Sequence, residues 1–266
     1  MSIYPQFVKM AREAFNPFVQ SSGTEHVAQL LHSFARMIKP RTVLEYGSGY
    51  TTLFLLSALA ENVADFAEEA ESLRAKTATA IAGRESTEGW NQAGGKACGV
   101  APGFYLEPYA PKLYCFDSGD HAYRSKVTQA AGDLKLAEFL VYMPERQFSV
   151  EALPAEAFPI DLAWNDDGDY GDFFNLFWPK LNPKGGLMIF HNTAAVEPMW
   201  QAINYLKEGR SFSGDLEILT LTEPHKLWQN SCTILRRTTN YQPTFMTSSR
   251  EQVMADLMQF MKSSAR

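Results

Sequence analysis

The chain has 266 residues, 45% of them hydrophobic, which is enough for a substantial buried core and unlike a tail or linker. A net charge of −6 and a pI near 5.4 leave no basic footprint for nucleic-acid phosphates, so a small molecule is the expected partner. The three cysteines, Cys98, Cys115 and Cys232, form no C-x-x-C pair, and no apolar run reaches the length of a membrane span or a signal-peptide core; a cytoplasmic protein with reduced thiols is expected.

The first element expected is a helix over residues 22–38. Ser22 and Glu25 have capping-box spacing, and Val27, Leu30, Leu31, Phe34, Ala35 and Ile38 recur at helical intervals. Lys39-Pro40-Arg41 breaks it. Residues 42–46 are a short apolar run of the kind a buried parallel strand requires, followed by Gly47-Ser48-Gly49 and a helix over 51–59. The alternation of strand and helix then lapses from 61 to 112. An acidic, Ala-rich stretch to about Ala82 reads as helical, and the remainder, rich in glycine and aromatic residues, reads as an insertion. Strands are expected at 113–116 and 139–143 with a helix over 125–136 between them, and a fourth strand at 160–164 running into Asn165-Asp166-Asp167-Gly168-Asp169. A helix at 173–181 ends in Asn-Pro-Lys-Gly-Gly; a fifth strand at 187–190 ends at His191-Asn192-Thr193; a helix covers 197–207. The runs 216–221 and 231–236 have no helix between them, which implies an antiparallel pair at a sheet edge. Residues 249–262 place Val253, Met254, Leu257, Met258 and Met261 on one helical face.

A glycine-rich turn between a buried strand and a helix lets backbone approach a ligand where a Cβ would collide. Two features refine that reading. Glu45 precedes the glycines, and Thr52 stands where a dinucleotide-binding G-x-G-x-x-G has its third glycine. A carboxylate there suits a cofactor with a cationic amino-acid end and repels a pyrophosphate, favouring S-adenosylmethionine over NAD. At the end of the second strand, Asp117 is placed to accept the hydroxyl protons of a ribose.

In this combination the chain resembles the class I S-adenosylmethionine-dependent methyltransferases, over about residues 25–60 and 112–237. Asp161 to Tyr170, and Pro183-Lys184-Gly185-Gly186 running on to His191-Asn192-Thr193, are similar to the small-molecule O-methyltransferase branch that includes catechol and caffeoyl-CoA O-methyltransferases. The resemblance implies a three-layer α/β fold with a seven-stranded, mostly parallel sheet whose last strand is antiparallel. It implies one domain over 1–266, with an N-terminal helical segment at 1–40 and a lid-like insertion at about 61–112. Glu45, Gly47, Ser48, Gly49, Asp117 and Ser118 would hold S-adenosylmethionine. The strand-four acid falls on Asp166 or, with one inserted residue, on Asp167. In metal-dependent relatives that acid and the pair after strand five bind a divalent ion, which here implies Asp166, His191 and Asn192.

The imidazole of His191 leaves three readings open: a ligand for an ion softer than magnesium, a general base without metal, or a structural hydrogen bond. Trp90, Phe104, Tyr105 and Tyr109 suit either a lid that closes on an aromatic or apolar substrate or a solvent-facing or homodimer-forming insertion. Tyr4, Phe7, Phe15 and Phe18 have the spacing of core packing more than of a pocket wall. The expected activity is methyl transfer to an oxygen, less favourably a nitrogen, of a small metabolite, with no nucleic-acid or membrane partner. The rivals are an NAD-dependent Rossmann enzyme and a non-catalytic binding or assembly protein of the same fold.

Overall fold

The computed structural model describes residues 4–18, 23–81, 104, 107–117, 121–144, 147–210, 215–226 and 228–238. The chain divides into two compact units, Met1–Asp65 with Ala110–Asn240, and Phe66–Tyr109 with Tyr241–Arg266.

The first unit is built on a seven-stranded sheet. Its strands are β1 (Thr42–Tyr46), β2 (Lys112–Phe116), β3 (Leu140–Tyr142), β4 (Leu162–Asn165), β5 (Leu187–His191), β6 (Leu216–Thr222) and β7 (Ser231–Arg237), in the order β3-β2-β1-β4-β5-β7-β6. β1 to β5 are parallel, and β7 runs antiparallel to both β5 and β6. The helices are α1 (Tyr4–Ala14), α2 (Val27–Ile38), α3 (Tyr50–Ile81), α4 (His121–Asp133), α5 (Tyr170–Phe177) and α6 (Glu197–Arg210). Residues β1, β4 and β5 contribute are all buried, as parallel strands covered on both faces must be. One core joins Phe7, Leu31, Leu53 and Val127 of α1 to α4 to one face of the sheet; the other joins Phe173, Phe177 and Ile203 of α5 and α6 to the opposite face. The expected three-layer fold is therefore present. Burying each such aliphatic or aromatic side chain contributes about 1.5–3 kcal/mol.

Several boundaries differ from expectation. α2 begins at Val27 with His26 as its N-cap and no side-chain cap, so Glu25 does not occupy a capping-box position; its carboxylate pairs instead with Lys226 Nζ at 2.8 Å. α3 runs unbroken past residue 59 to Ile81, because the Ala-rich stretch continues the helix, so the edge of the expected insertion at 61 falls within it. Within the second unit, Phe66, Phe104 and Tyr109 pack on one another at ring separations of 5.4–5.6 Å. Trp90, Tyr105, Cys98 and the expected helix at 249–262 lie outside the described residues. The helix expected at 173–181 starts earlier, at Tyr170, and its last turn, Trp178–Lys180, tightens to a 3-10 helix where Pro179 interrupts the pattern. α4 begins and ends earlier than expected, at His121–Asp133. Phe7 and Phe15 are core residues, as their spacing suggested, whereas Phe18 is exposed.

Two glycines fix the turns that matter. A Cβ on Gly186, in the turn before β5, would stand 2.8 Å from the backbone nitrogen of Asn182. Gly47, discussed below, is the other.

Candidate active site

The strand order reverses between β1 and β4, and in open parallel sheets the crevice at such a reversal, beyond the carboxyl ends of the strands, is where ligands bind. The sequence places its chemistry there. Gly47 follows β1 with φ +92°, and a Cβ on it would lie 2.9 Å from Cβ of Asp167, which follows β4. Any larger residue would push the two strand ends apart. The Gly47 amide donates to the Phe116 carbonyl at 3.0 Å, and the Ser48 hydroxyl donates to the carboxylate of Asp117, so the turn is also tied to the end of β2.

Glu45 lies under this turn and is fully buried. The Thr51 hydroxyl donates to its Oε1 at 3.2 Å, while Oε2 has no hydrogen-bond partner of ordinary geometry among the described residues. Burial pushes its pKa up to about 8, against the opposing influence of the Thr52, Thr51 and Cys115 side chains, and the nearby charge of Asp166 pushes the same way as burial. A buried carboxyl held in this way favours a cationic group brought to it. Thr52, at the third-glycine position, accepts the Gly49 amide on its hydroxyl at 2.8 Å. That consumes a donor which a phosphate-binding helix start would offer to its ligand. The residues present thus fit an amino-acid and ribose ligand better than a pyrophosphate.

At the end of β4, the buried Asn165 side chain organises the acidic turn. Its Oδ1 accepts the amides of Asp167 and Gly168, at 3.1 and 3.2 Å, and its Nδ2 donates to the Gly168 carbonyl at 2.7 Å. This turn separates two acids that the sequence could not: Asp167 packs against Gly47, while Asp166 reaches His191. The His191 Nδ1–H donates to Asp166 Oδ1 at 2.5 Å, since an ionised carboxylate only accepts. The opposite ring nitrogen, Nε2, is buried with no hydrogen-bond partner among the described residues. Trp164 packs on the imidazole with ring centroids 5.7 Å apart. Tyr170, at the start of α5, has its pKa raised to about 12 by burial and by the charges of Asp166 and Asp167, so its hydroxyl stays protonated.

His191 is the last residue of β5 and Asn192 the first beyond it, held at φ +55° with its amide donating to the Ser231 carbonyl at 2.6 Å. Asparagine tolerates that left-handed conformation, which accounts for its place; its buried Oδ1 has no partner among the described residues. The expected metal set of Asp166, His191 and Asn192 gathers at one sheet end, but Asp166 and Nδ1 already satisfy each other. An ion taking both of those atoms would replace that hydrogen bond. Ser118 lies outside the described residues. Sequence reasoning missed Asn165, Tyr170 and the accepting role of Thr52; the signal for Asn165 was its position directly before the acidic pair. His32 is accounted for by Glu61, 3.1 Å from its Nε2.

No family model matches the chain, and a search of the curated proteins finds no match. Solved structures do match. The O-methyltransferase TomG from Streptomyces achromogenes, involved in tomaymycin synthesis and solved in complex with SAM, is similar with a TM-score of 0.54 at 13% identity, over 88% of this chain and 90% of its own. An O-methyltransferase from Bacillus cereus in complex with SAH gives 0.53 at 12% identity, over 88% and 89%. The SAH-bound methyltransferase PaMTH1 of Podospora anserina gives 0.53 at 13% identity, over 87% of each chain. The chain thus has the fold of the class I S-adenosylmethionine-dependent methyltransferases. No helix among the described residues is long and apolar enough to cross a membrane.

Proposed function

We propose that the protein is an S-adenosylmethionine-dependent methyltransferase acting on an oxygen of a small metabolite in the cytoplasm. The observation that carries this reading is the crevice at the β1 and β4 ends, where a buried carboxyl, a turn that admits only glycine and a ribose-suited aspartate converge. Glu45 would face the cationic amino group of the cofactor, Gly47, Ser48 and Gly49 would let its backbone pass close, and Asp117 would accept the ribose hydroxyls in place of Ser48. When bound, the cofactor supplies an electrophilic sulfonium methyl group.

The rest is done by the chain. Asp166 holds the imidazole in one tautomer, with the proton on Nδ1, and leaves Nε2 as a lone-pair acceptor. Nε2 would take the proton from an acceptor hydroxyl brought to it, and Asp166 would stabilise the imidazolium that results. Such general-base assistance contributes roughly 10²–10⁴-fold, the remainder coming from alignment of the acceptor with the methyl group. The base reading of His191 rests on Asp166 engaging Nδ1 while Nε2 has no hydrogen-bond partner among the described residues.

The test has two stages. Calorimetry with S-adenosylhomocysteine, and with NAD in parallel, should give saturable binding of the first and none of the second; the reverse result ends the proposal. Incubation with methyl-labelled S-adenosylmethionine and a panel of phenols, catechols and amines, with and without EDTA, should then give a chelator-insensitive O-methyl product. Cofactor binding with no labelled product from any acceptor class would favour the non-catalytic member of the fold.

A further inference from the structure

Away from the crevice, His26 stands directly before α2, and Glu223 and His225 lie in the turn between β6 and β7. His26 Nδ1 is hydrogen-bonded to Glu223 Oε2, and His225 Nε2 lies 3.7 Å from the same oxygen. One ligand-type atom from each of the three residues falls within 4.8 Å of the others, and this is the group of at least three metal-ligating side chains found among the described residues. The two rings meet edge to face at 5.5 Å.

We infer that His26, Glu223 and His225 form a surface site for a late first-row divalent cation, of which zinc is the working probe. Two donors each about 2.0–2.1 Å from a tetrahedral ion stand roughly 3.4 Å apart, so the present spacing needs only small rotations of side chains that are largely free to make them. The side chains of His26 and His225 are 54% and 62% exposed, which lets an ion enter from solvent and leaves a coordination position for water. Two imidazoles with one carboxylate select zinc, nickel or copper over magnesium or calcium, which prefer oxygen donors throughout.

The surroundings hold Glu223 in place for this role. Lys226 Nζ sits 2.9 Å from Glu223 Oε2 and 2.8 Å from Glu25 Oε1, and donates to the Gly23 carbonyl at 3.0 Å. Two carboxylates, those of Glu223 and Glu25, stand against the one ammonium of Lys226. Glu25 Oε2 is buried and has no hydrogen-bond partner among the described residues. The ion would replace the proton shared by His26 and Glu223. It would also staple together two segments 197 residues apart in sequence, fixing the turn that leads into Ser231, whose carbonyl holds Asn192.

The test is titration of chelator-treated full-length protein with zinc chloride by calorimetry. One ion per chain is expected, with affinity lowered at least tenfold in His225→Ala and lost in the His26→Ala/His225→Ala pair, and with no comparable binding of magnesium. Zinc should raise the thermal midpoint of the wild type and leave that of the double variant unmoved. Glu223→Gln is a second variant, and far-UV circular dichroism of the metal-free proteins checks folding. No saturable zinc binding, or undiminished binding in the double variant, overturns the site. Binding retained there but lost in His191→Ala would assign the ion to the Asp166 pair and overturn it equally.

Discussion

The two ends of the central sheet treat their polar groups differently. At the amino end, Asp161 stands before β4 with its carboxylate fully engaged: Oδ2 accepts the amides of Arg41 and Thr42, at 2.8 and 3.2 Å, and Oδ1 accepts Nδ2 of Asn182 at 2.8 Å. That aspartate joins β1, β4 and the turn before β5, and every donor it meets belongs to the protein. At the carboxyl end, Glu45 Oε2, His191 Nε2 and Asn192 Oδ1 are buried without hydrogen-bond partners among the described residues. Buried polar groups are normally satisfied, and each one left open costs about 1–3 kcal/mol. One end of the sheet therefore satisfies its carboxylate within the protein, while the other keeps open polar atoms that a bound ligand would satisfy.

That contrast breaks most visibly at His191. His191→Ala should lower turnover by roughly 10²–10⁴-fold while S-adenosylhomocysteine affinity stays within twofold, and Asp166→Asn should lower it less, because the ring remains but its tautomer is no longer set. Steady-state kinetics with the labelled donor separate the effects on kcat and KM; an unchanged kcat in His191→Ala would remove the base. Next in size is Gly47→Ala. A β-carbon 2.9 Å from Asp167, on a residue at φ +92°, should cost about 1–3 kcal/mol, seen as roughly 10–100-fold weaker cofactor binding by calorimetry.

At the opposite end, Asp161→Ala should leave cofactor affinity unchanged and lower unfolding free energy by about 2 kcal/mol, measured in urea, since three donors lose their acceptor. A loss of affinity without a loss of stability would invert the comparison. The smallest effect is in pH dependence. Glu45 has its pKa raised in the folded state from about 4.5 to about 8, so between those values the folded protein holds a proton that the unfolded chain has released. Its contribution to stability is therefore fully present below about pH 4.5 and is lost as pH rises through 8. Glu45→Gln should flatten this part of the stability profile. Binding a cationic amino group releases the proton, so wild-type affinity for S-adenosylhomocysteine should rise between pH 6 and 8, with a slope absent from Glu45→Gln.

Much of this molecule was legible in its sequence because the relevant forces act locally. The apolar runs of β1, β2, β4 and β5 mark strands covered on both faces, the Gly47 turn marks a close backbone approach, and the missing helix between β6 and β7 marks an antiparallel pair. Those patterns, together with the family resemblance they carry, led to the expected fold and to Glu45, Gly47, Gly49 and Asp117 as candidate cofactor residues. The sequence left open which of Asp166 and Asp167 serves His191, and gave no sign that β7 lies inside the sheet between β5 and β6. Each of these depends on groups far apart in the chain: the Asn165 side chain sets the turn that aims Asp166 at a histidine 25 residues away, and strand order is fixed by pairing across the sheet. Residue type and spacing determine which segments become strands and turns; only the folded arrangement decides which nitrogen of His191 is held by Asp166 and which has no partner among the described residues.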